Sequence, residues 1–114
     1  MPQLQVENAT IANGASQSQA IDLDGFVPVG LLLPSAWTAA AITFLASGDN
    51  TTFVPVYEAD GTELTATAST SRQVVLDPAK FAGIRYLKLR SGTASAAVNQ
   101  GADRVIGVIS RPIG

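Results

Sequence analysis

The chain of 114 residues has no cysteine and no histidine, and only one methionine and one tryptophan. Without a thiol or an imidazole there is no thiolate nucleophile, no disulfide framework, no zinc or haem ligand set and no imidazole base. These absences exclude the commonest catalytic and metal-binding chemistries together, so a non-enzymatic chain without a cofactor is expected. Charge is scarce as well: 14% of residues are charged, with 7 Lys+Arg against 9 Asp+Glu and a net charge of −2. Nucleic-acid binding needs clustered Lys and Arg to displace counterions, and this balance gives no basic surface for a polyanion. The N-terminal MPQLQVENAT has no basic segment leading into an apolar stretch, and no run of 18 apolar residues occurs. Neither a signal peptide nor a membrane span is therefore expected. The lack of cysteine fits synthesis in a reducing cytoplasm.

What the chain does have is small residues: Ala, Ser, Thr and Gly supply about two-fifths of it, within a composition that is 46% hydrophobic. At this length there is room for one domain, residues 1–114, burying roughly two-thirds of the surface the unfolded chain exposes. A small-residue surface with few charges is smooth and weakly hydrated, which suits a chain packed against others.

Turn signals divide the chain into short strands. Gln3–Ala12 ends at Asn13-Gly14, a type I′ turn dipeptide, and predicts a hairpin with Ser16–Leu23. Asp24-Gly25 precedes Phe26–Leu33, a nearly continuous apolar run stopped by Pro34 and expected to be buried on both faces. Ala40–Ala46 places Ile42, Phe44 and Ala46 on one face and Thr43 and Leu45 on the other. Phe53–Glu58 and Glu63–Ala68 flank Asp60-Gly61 as a second hairpin, with Leu64 and Ala66 pointing inward. Thr70–Leu76 reads as a strand, Asp77-Pro78 as a cap and first helical position of a single turn closed by Gly83, and Ile84–Arg90 as an alternating strand. Ser91–Gly101 is small and polar and predicts a mobile loop, and Arg104–Ser110 is a last strand, apolar on both faces. Eight or nine short strands without helical periodicity predict an all-β fold, an antiparallel two-sheet β-sandwich of jelly-roll type.

Candidate functional residues are few. Tyr86, Lys88 and Arg90 share the outward face of one strand, where an aromatic ring and two cations would stack on a sugar or clamp a carboxylate. Trp37 is a ligand platform or a plug at the end of the core. Asp49, Asn50, Asp60 and Glu63 cluster around two turns with oxygen ligands suited to Ca²⁺, but without EF-hand spacing, and Asx residues are ordinary turn formers, so no metal is expected. The carboxylates sit near turns with no aromatic-rich cleft, so no catalytic pair is assigned. The stronger anomaly is excess apolar surface. Gly30–Leu33 and Val105–Ile109 are apolar on both faces, and Phe53 and Tyr57 oppose Val54 and Val56, so Leu31, Leu33, Phe53, Tyr57, Val105 and Ile109 are candidates for the core or a subunit interface. Residues 1–10 are expected to form an extended arm reaching a neighbour.

Two stretches carry a resemblance. LPSAWTAAAITFLAS at 33–47, followed by Gly48-Asp49-Asn50 and Phe53-Val54-Pro55-Val56-Tyr57, resembles small structural proteins of tailed bacteriophages. So does LDPAKFAGIRYLKLRSGT at 76–93, with the closing strand Arg104–Pro112. Both are also similar to discoidin-like, or galactose-binding-like, jelly rolls, in which Phe44–Ser47 and Arg85–Leu89 have counterparts. The resemblance implies a virion location, after synthesis in the host cytoplasm, and the job of a capsid decoration or cement protein: a homo-oligomer, for instance a trimer, on the major capsid protein. A head-fibre or tail-tip module binding a bacterial surface glycan through Tyr86, Lys88 and Arg90 is the alternative. A tail-tube or connector component, using the Phe53–Ala68 hairpin, is the third.

Overall fold

The computed structural model describes residues 3–113. Its nine strands are β1 (Gln5–Ile11), β2 (Ile21–Asp22), β3 (Phe26–Leu32), β4 (Ile42–Ser47), β5 (Val54–Pro55), β6 (Thr65–Ala66), β7 (Gln73–Val75), β8 (Tyr86–Ser91) and β9 (Arg104–Pro112), with one 3-10 turn at Pro78–Lys80. They form two antiparallel sheets. The four-stranded sheet has the order β1-β9-β3-β7; the other has five strands, in the order β2-β8-β4-β5 with β6 also on β4. The chain is thus all-β, as its turn spacing predicts.

One hydrophobic core joins the sheets. Ala9, Ile11, Leu31, Ile106 and Val108 come from the four-stranded sheet, and Ile42, Phe44, Leu87 and Leu89 from the five-stranded one. Phe81, just after the 3-10 turn, meets Phe44 edge to face at 5.0 Å between ring centroids and 84° between planes. That is the favourable arrangement for two ring quadrupoles. The turn forms because Asp77 accepts a hydrogen bond from the Ala79 N–H and Pro78 fixes the first helical φ. Leu64 and Ala66 point inward as their alternation predicts.

Several expectations are corrected. Asn13-Gly14 does turn the chain, with Gly14 at φ +82°, and the arms meet in one antiparallel bridge between Ile11 and Ser18, but beyond it they enter different sheets. β1 pairs with β9, while the returning chain is captured by β8: Ser18 N–H donates to Leu89 O at 2.9 Å and Ser18 Oγ accepts from Leu89 N–H at 3.0 Å. The N-terminal segment is not a free arm from Gln5 onward, because Gln5–Thr10 is in register with Ser110–Val105; Met1 and Pro2 of the expected arm lie outside the described residues. The Phe53–Ala68 hairpin pairs only at its tip, where Glu58 N–H donates to Thr62 O and Leu64 N–H to Val56 O. Below the tip, β5 and β6 each run against β4 instead of each other. β3 is not covered on both sides either, since Leu32 remains 40% exposed.

Candidate functional site

The site is the outer face of the four-stranded sheet. Ile106 and Val108 point into the core, so the two-residue period turns Val105, Gly107 and Ile109 outward. The same rule turns Val6, Asn8 and Thr10 of β1 outward, opposite the buried Ala9 and Ile11. Register then assembles rows across the sheet. Val6, Ile109, Gly30 and Val75 form one, Asn8, Gly107, Leu32 and Gln73 the next, and Thr10 and Val105 a third.

These rows are apolar or neutral. Val6, Leu32, Val75 and Val105 are all at least 40% exposed, and Val75 reaches 81%. Glycines at two crossing points let neighbouring side chains lie across the sheet. A Cβ on Gly107 would come within 3.2 Å of Val6 Cγ1 and 3.3 Å of Leu32 Cβ, and one on Gly30 within 3.2 Å of Gln73 Nε2. A soluble β-sheet normally dresses such a face with charge. Here the rows themselves hold none.

β1 is an edge strand, and half its edge is already occupied. The Gln19 carboxamide accepts from Thr10 N–H at 2.9 Å through Oε1 and donates to Asn8 O at 2.8 Å through Nε2. One side chain thus takes the place of a neighbouring peptide group at the point where the backbone leaves for the other sheet.

The remaining candidates are placed as follows. Leu31 and Leu33 lie in the core, Ile109 is buried on the outer face, Phe53 is half-buried, and Tyr57 and Val105 are exposed. The outward stripe Tyr86, Lys88, Arg90 is interrupted. Tyr86 and Lys88 are half-buried, with Lys88 Nζ 4.4 Å from the Phe53 ring centroid. Arg90 is only 5% exposed. Its guanidinium donates to Glu63 Oε2 at 2.6 Å and to Thr43 Oγ1 at 3.0 Å. Thr43 in turn donates to Gly92 O, and Ala94 N–H donates to the Glu63 carboxylate at 3.1 Å. The cation is committed to an internal partner and is not a ligand-binding group. Trp37 packs against the core and donates from Nε1 to Ala40 O.

The segment after β8 is pinned, where the sequence suggests mobility. Gln100, 1% exposed, accepts from Thr38 N–H and Arg104 Nε, and donates to Thr38 O and Ser91 Oγ. Its backbone also bonds Gly14 and Ala15. One side chain therefore ties three connections together. Gln100→Ala removes four side-chain hydrogen bonds and leaves buried groups unpaired, and is expected to cost about 2–4 kcal/mol. Urea denaturation checks this, and a loss within experimental error of zero would show that the staple is dispensable.

Asp49 and Asp60 each close their own turn. Asp49 is lowered from 3.8 to about 2 by the Thr52 and Thr51 N–H groups and the Ser47 hydroxyl. Asp60 is lowered chiefly by the Thr62 N–H. For Asp49 the folded value is the depressed one, so its contribution is complete above the unfolded value and is lost as pH falls through about 2. The stability gap between the parent and Asp49→Asn should thus narrow on acidification, as paired denaturation curves at neutral pH and near the depressed value would record. No group of three or more Asp or Glu side chains gathers to hold a metal ion among the described residues.

Compared with protein-family models, with curated proteins and with solved structures, the chain matches none.

Proposed function

We propose that this chain is a non-enzymatic structural protein of a tailed-bacteriophage virion, a β-sandwich of jelly-roll type that acts by covering surface as a capsid decoration or cement protein. The observation that carries the reading is the exposed, apolar outer face of the four-stranded sheet. Val6, Leu32, Val75 and Val105 leave apolar area in water that a partner would remove, and there are few charges to desolvate when it does so. Many copies on one lattice would act together, because a copy held at one contact meets the next at high effective concentration. The glycan-binding alternative loses Arg90 to Glu63, and no other observation favours it.

The test is quantitative mass spectrometry of purified particles of the phage that encodes the chain. A copy number equal to that of the major capsid protein, or a simple lattice fraction of it, is expected. A few copies per particle would place the chain in a fibre or tail, and absence from particles would end the virion reading.

A further inference from the structure

The Asn13-Gly14 dipeptide carries chemistry that no assembly role uses. An asparagine followed by glycine is the pair most open to intramolecular attack, because no side chain on the second residue shields its backbone nitrogen. Ala12, Asn13 and Gly14 are exposed, and nothing lies within 4 Å of where a Gly14 Cβ would stand. Ala15 N–H donates to Ala12 O at 2.9 Å, which closes a four-residue turn. Gly14 has φ +82° and Asn13 is not among the residues of positive φ, so the turn is type II and not the type I′ that the dipeptide suggests. Three bonds dock this turn on the segment before β9. Gly14 N–H donates to Gln100 O at 2.8 Å, Gln100 N–H to Ala15 O at 2.9 Å, and Asn13 N–H to Asp103 Oδ1 at 2.8 Å.

We propose that Asn13 is a deamidation site that the docked turn holds inactive and that release from Gln100 and Asp103 activates. In the reaction the Gly14 nitrogen loses its proton and attacks Asn13 Cγ. The new N–Cγ bond closes a succinimide, the Cγ–Nδ2 bond breaks, and Nδ2 leaves as ammonia, taking up the proton that the Gly14 nitrogen lost. Water then opens the ring at either carbonyl, to aspartate or to isoaspartate, and is the only co-reactant. Two features of the docked turn oppose the first step. The attacking nitrogen has its proton committed to Gln100 O. The first central residue of a type II turn also has ψ of about +120°. In an L-residue that ψ sets the following nitrogen over the α-hydrogen and away from Cβ, whereas closing a five-membered ring needs it on the Cβ side. Attack therefore waits for the turn to leave the segment, a local opening of the kind that exposed connections undergo. The product prevents the turn from docking again. Isoaspartate adds a methylene to the main chain between Ala12 and Gly14, so the turn bond and the Gln100 bond no longer fit one geometry. Either product also puts a carboxylate beside Asp103. Because this turn carries the chain from one sheet to the other, the reaction turns a transient opening into a lasting one.

Peptide mapping by mass spectrometry of the full chain, incubated in mildly alkaline buffer, tests this through the exchange of NH for O at position 13. The folded parent is expected to react at least about tenfold more slowly than the same chain unfolded in urea, since the docking bonds must break first. Asp103→Ala, at an exposed position, removes one docking bond. It should speed the folded protein about threefold to tenfold and leave the unfolded rate unchanged. Asp103→Asn keeps an oxygen acceptor without the charge and should stay near the parent. Product separated by anion exchange, through its added negative charge, should unfold at lower urea than the parent. A folded parent reacting at the unfolded rate, no reaction at Asn13 in the unfolded chain, or Asp103→Ala no faster than the parent would each overturn the proposal. Asp103→Asn as fast as Asp103→Ala would trace the rate to charge and overturn docking as the gate. A product with the parent's unfolding midpoint would overturn the lasting effect on the turn. None of these readouts depends on the capsid reading.

Discussion

Gly92→Ala is expected to cost about 4 kcal/mol, a large share of the 5–15 kcal/mol that a domain of this kind possesses. Gly92 follows β8 at φ +93°, a conformation that side-chain-bearing residues rarely adopt. The conformation alone costs an alanine about 1–2 kcal/mol. The larger part is steric. A Cβ would lie 2.5 Å from Ala96 O, 2.6 Å from Val98 N and 2.9 Å from Ala97 Cα, all atoms of the loop that folds back across the strand end. These are backbone atoms, and they are fixed: Val98 N–H donates to Ser91 O, and Gly92 N–H donates to Ala41 O. Relief therefore requires the loop to move, with loss of those bonds and of the nearby Glu63 contact to Ala94 N–H. Gly61→Ala is the control. Gly61 has φ +90° but nothing within 4 Å of the added carbon, so it should lose only the conformational part. Urea midpoints of the two variants separate the effects, and equal losses would show that the close approach at Gly92 is unimportant.

The second large effect is expected at Glu63. Glu63→Ala should cost about 3–5 kcal/mol because it strands the Arg90 guanidinium without its counter-charge. The side chains of Arg90 and Glu63 are 6% and 14% exposed, so water restores little of the lost interaction. Thr43 Oγ1 would remain as a neutral partner at 3.0 Å, which cannot balance a full charge. Replacing both partners with apolar residues, Arg90→Met with Glu63→Leu, should be far milder than Glu63→Ala alone, since no uncompensated charge is left. A double-mutant cycle followed by denaturant unfolding reads the coupling directly. Additive single effects would mean that the pair is solvated, contrary to its burial.

Which features were legible in the sequence follows from whether their cause was local. Leu87 and Leu89 alternate with polar residues on β8, and both point into the core as the period dictates. Asp77-Pro78 is a two-residue signal whose cap forms as read. The apolar outer face was legible in part, as the two-sided character of Val105–Ile109 and Gly30–Leu33. Its other members are not: Val6 lies among polar neighbours and Val75 within the apolar Val74-Val75-Leu76, and only the register of β1 and β7 brings the two to the same face. Arg90 reads as outward from sequence because a cation on an alternating strand has the same pattern whether solvated or buried. What buries it is Glu63, which is 27 residues away in the chain. Gln100 carries no local signal for the same reason, since its partners Thr38 and Ser91 come from separate connections. The Asn13-Gly14 turn shows the limit of local geometry. The turn is real, but Ser18 bonding to Leu89 decides which sheet the returning strand joins.

The central claim is that the outer face of the four-stranded sheet is covered when the protein assembles. A chain without cysteine permits a direct measurement: single Val75→Cys and Val105→Cys variants, with Ala59→Cys at the far hairpin tip as control, labelled by a maleimide in the dilute and in the assembled state. Strong protection of positions 75 and 105 on assembly, with position 59 labelled equally in both states, is the predicted result. Equal labelling of all three in both states would contradict the claim.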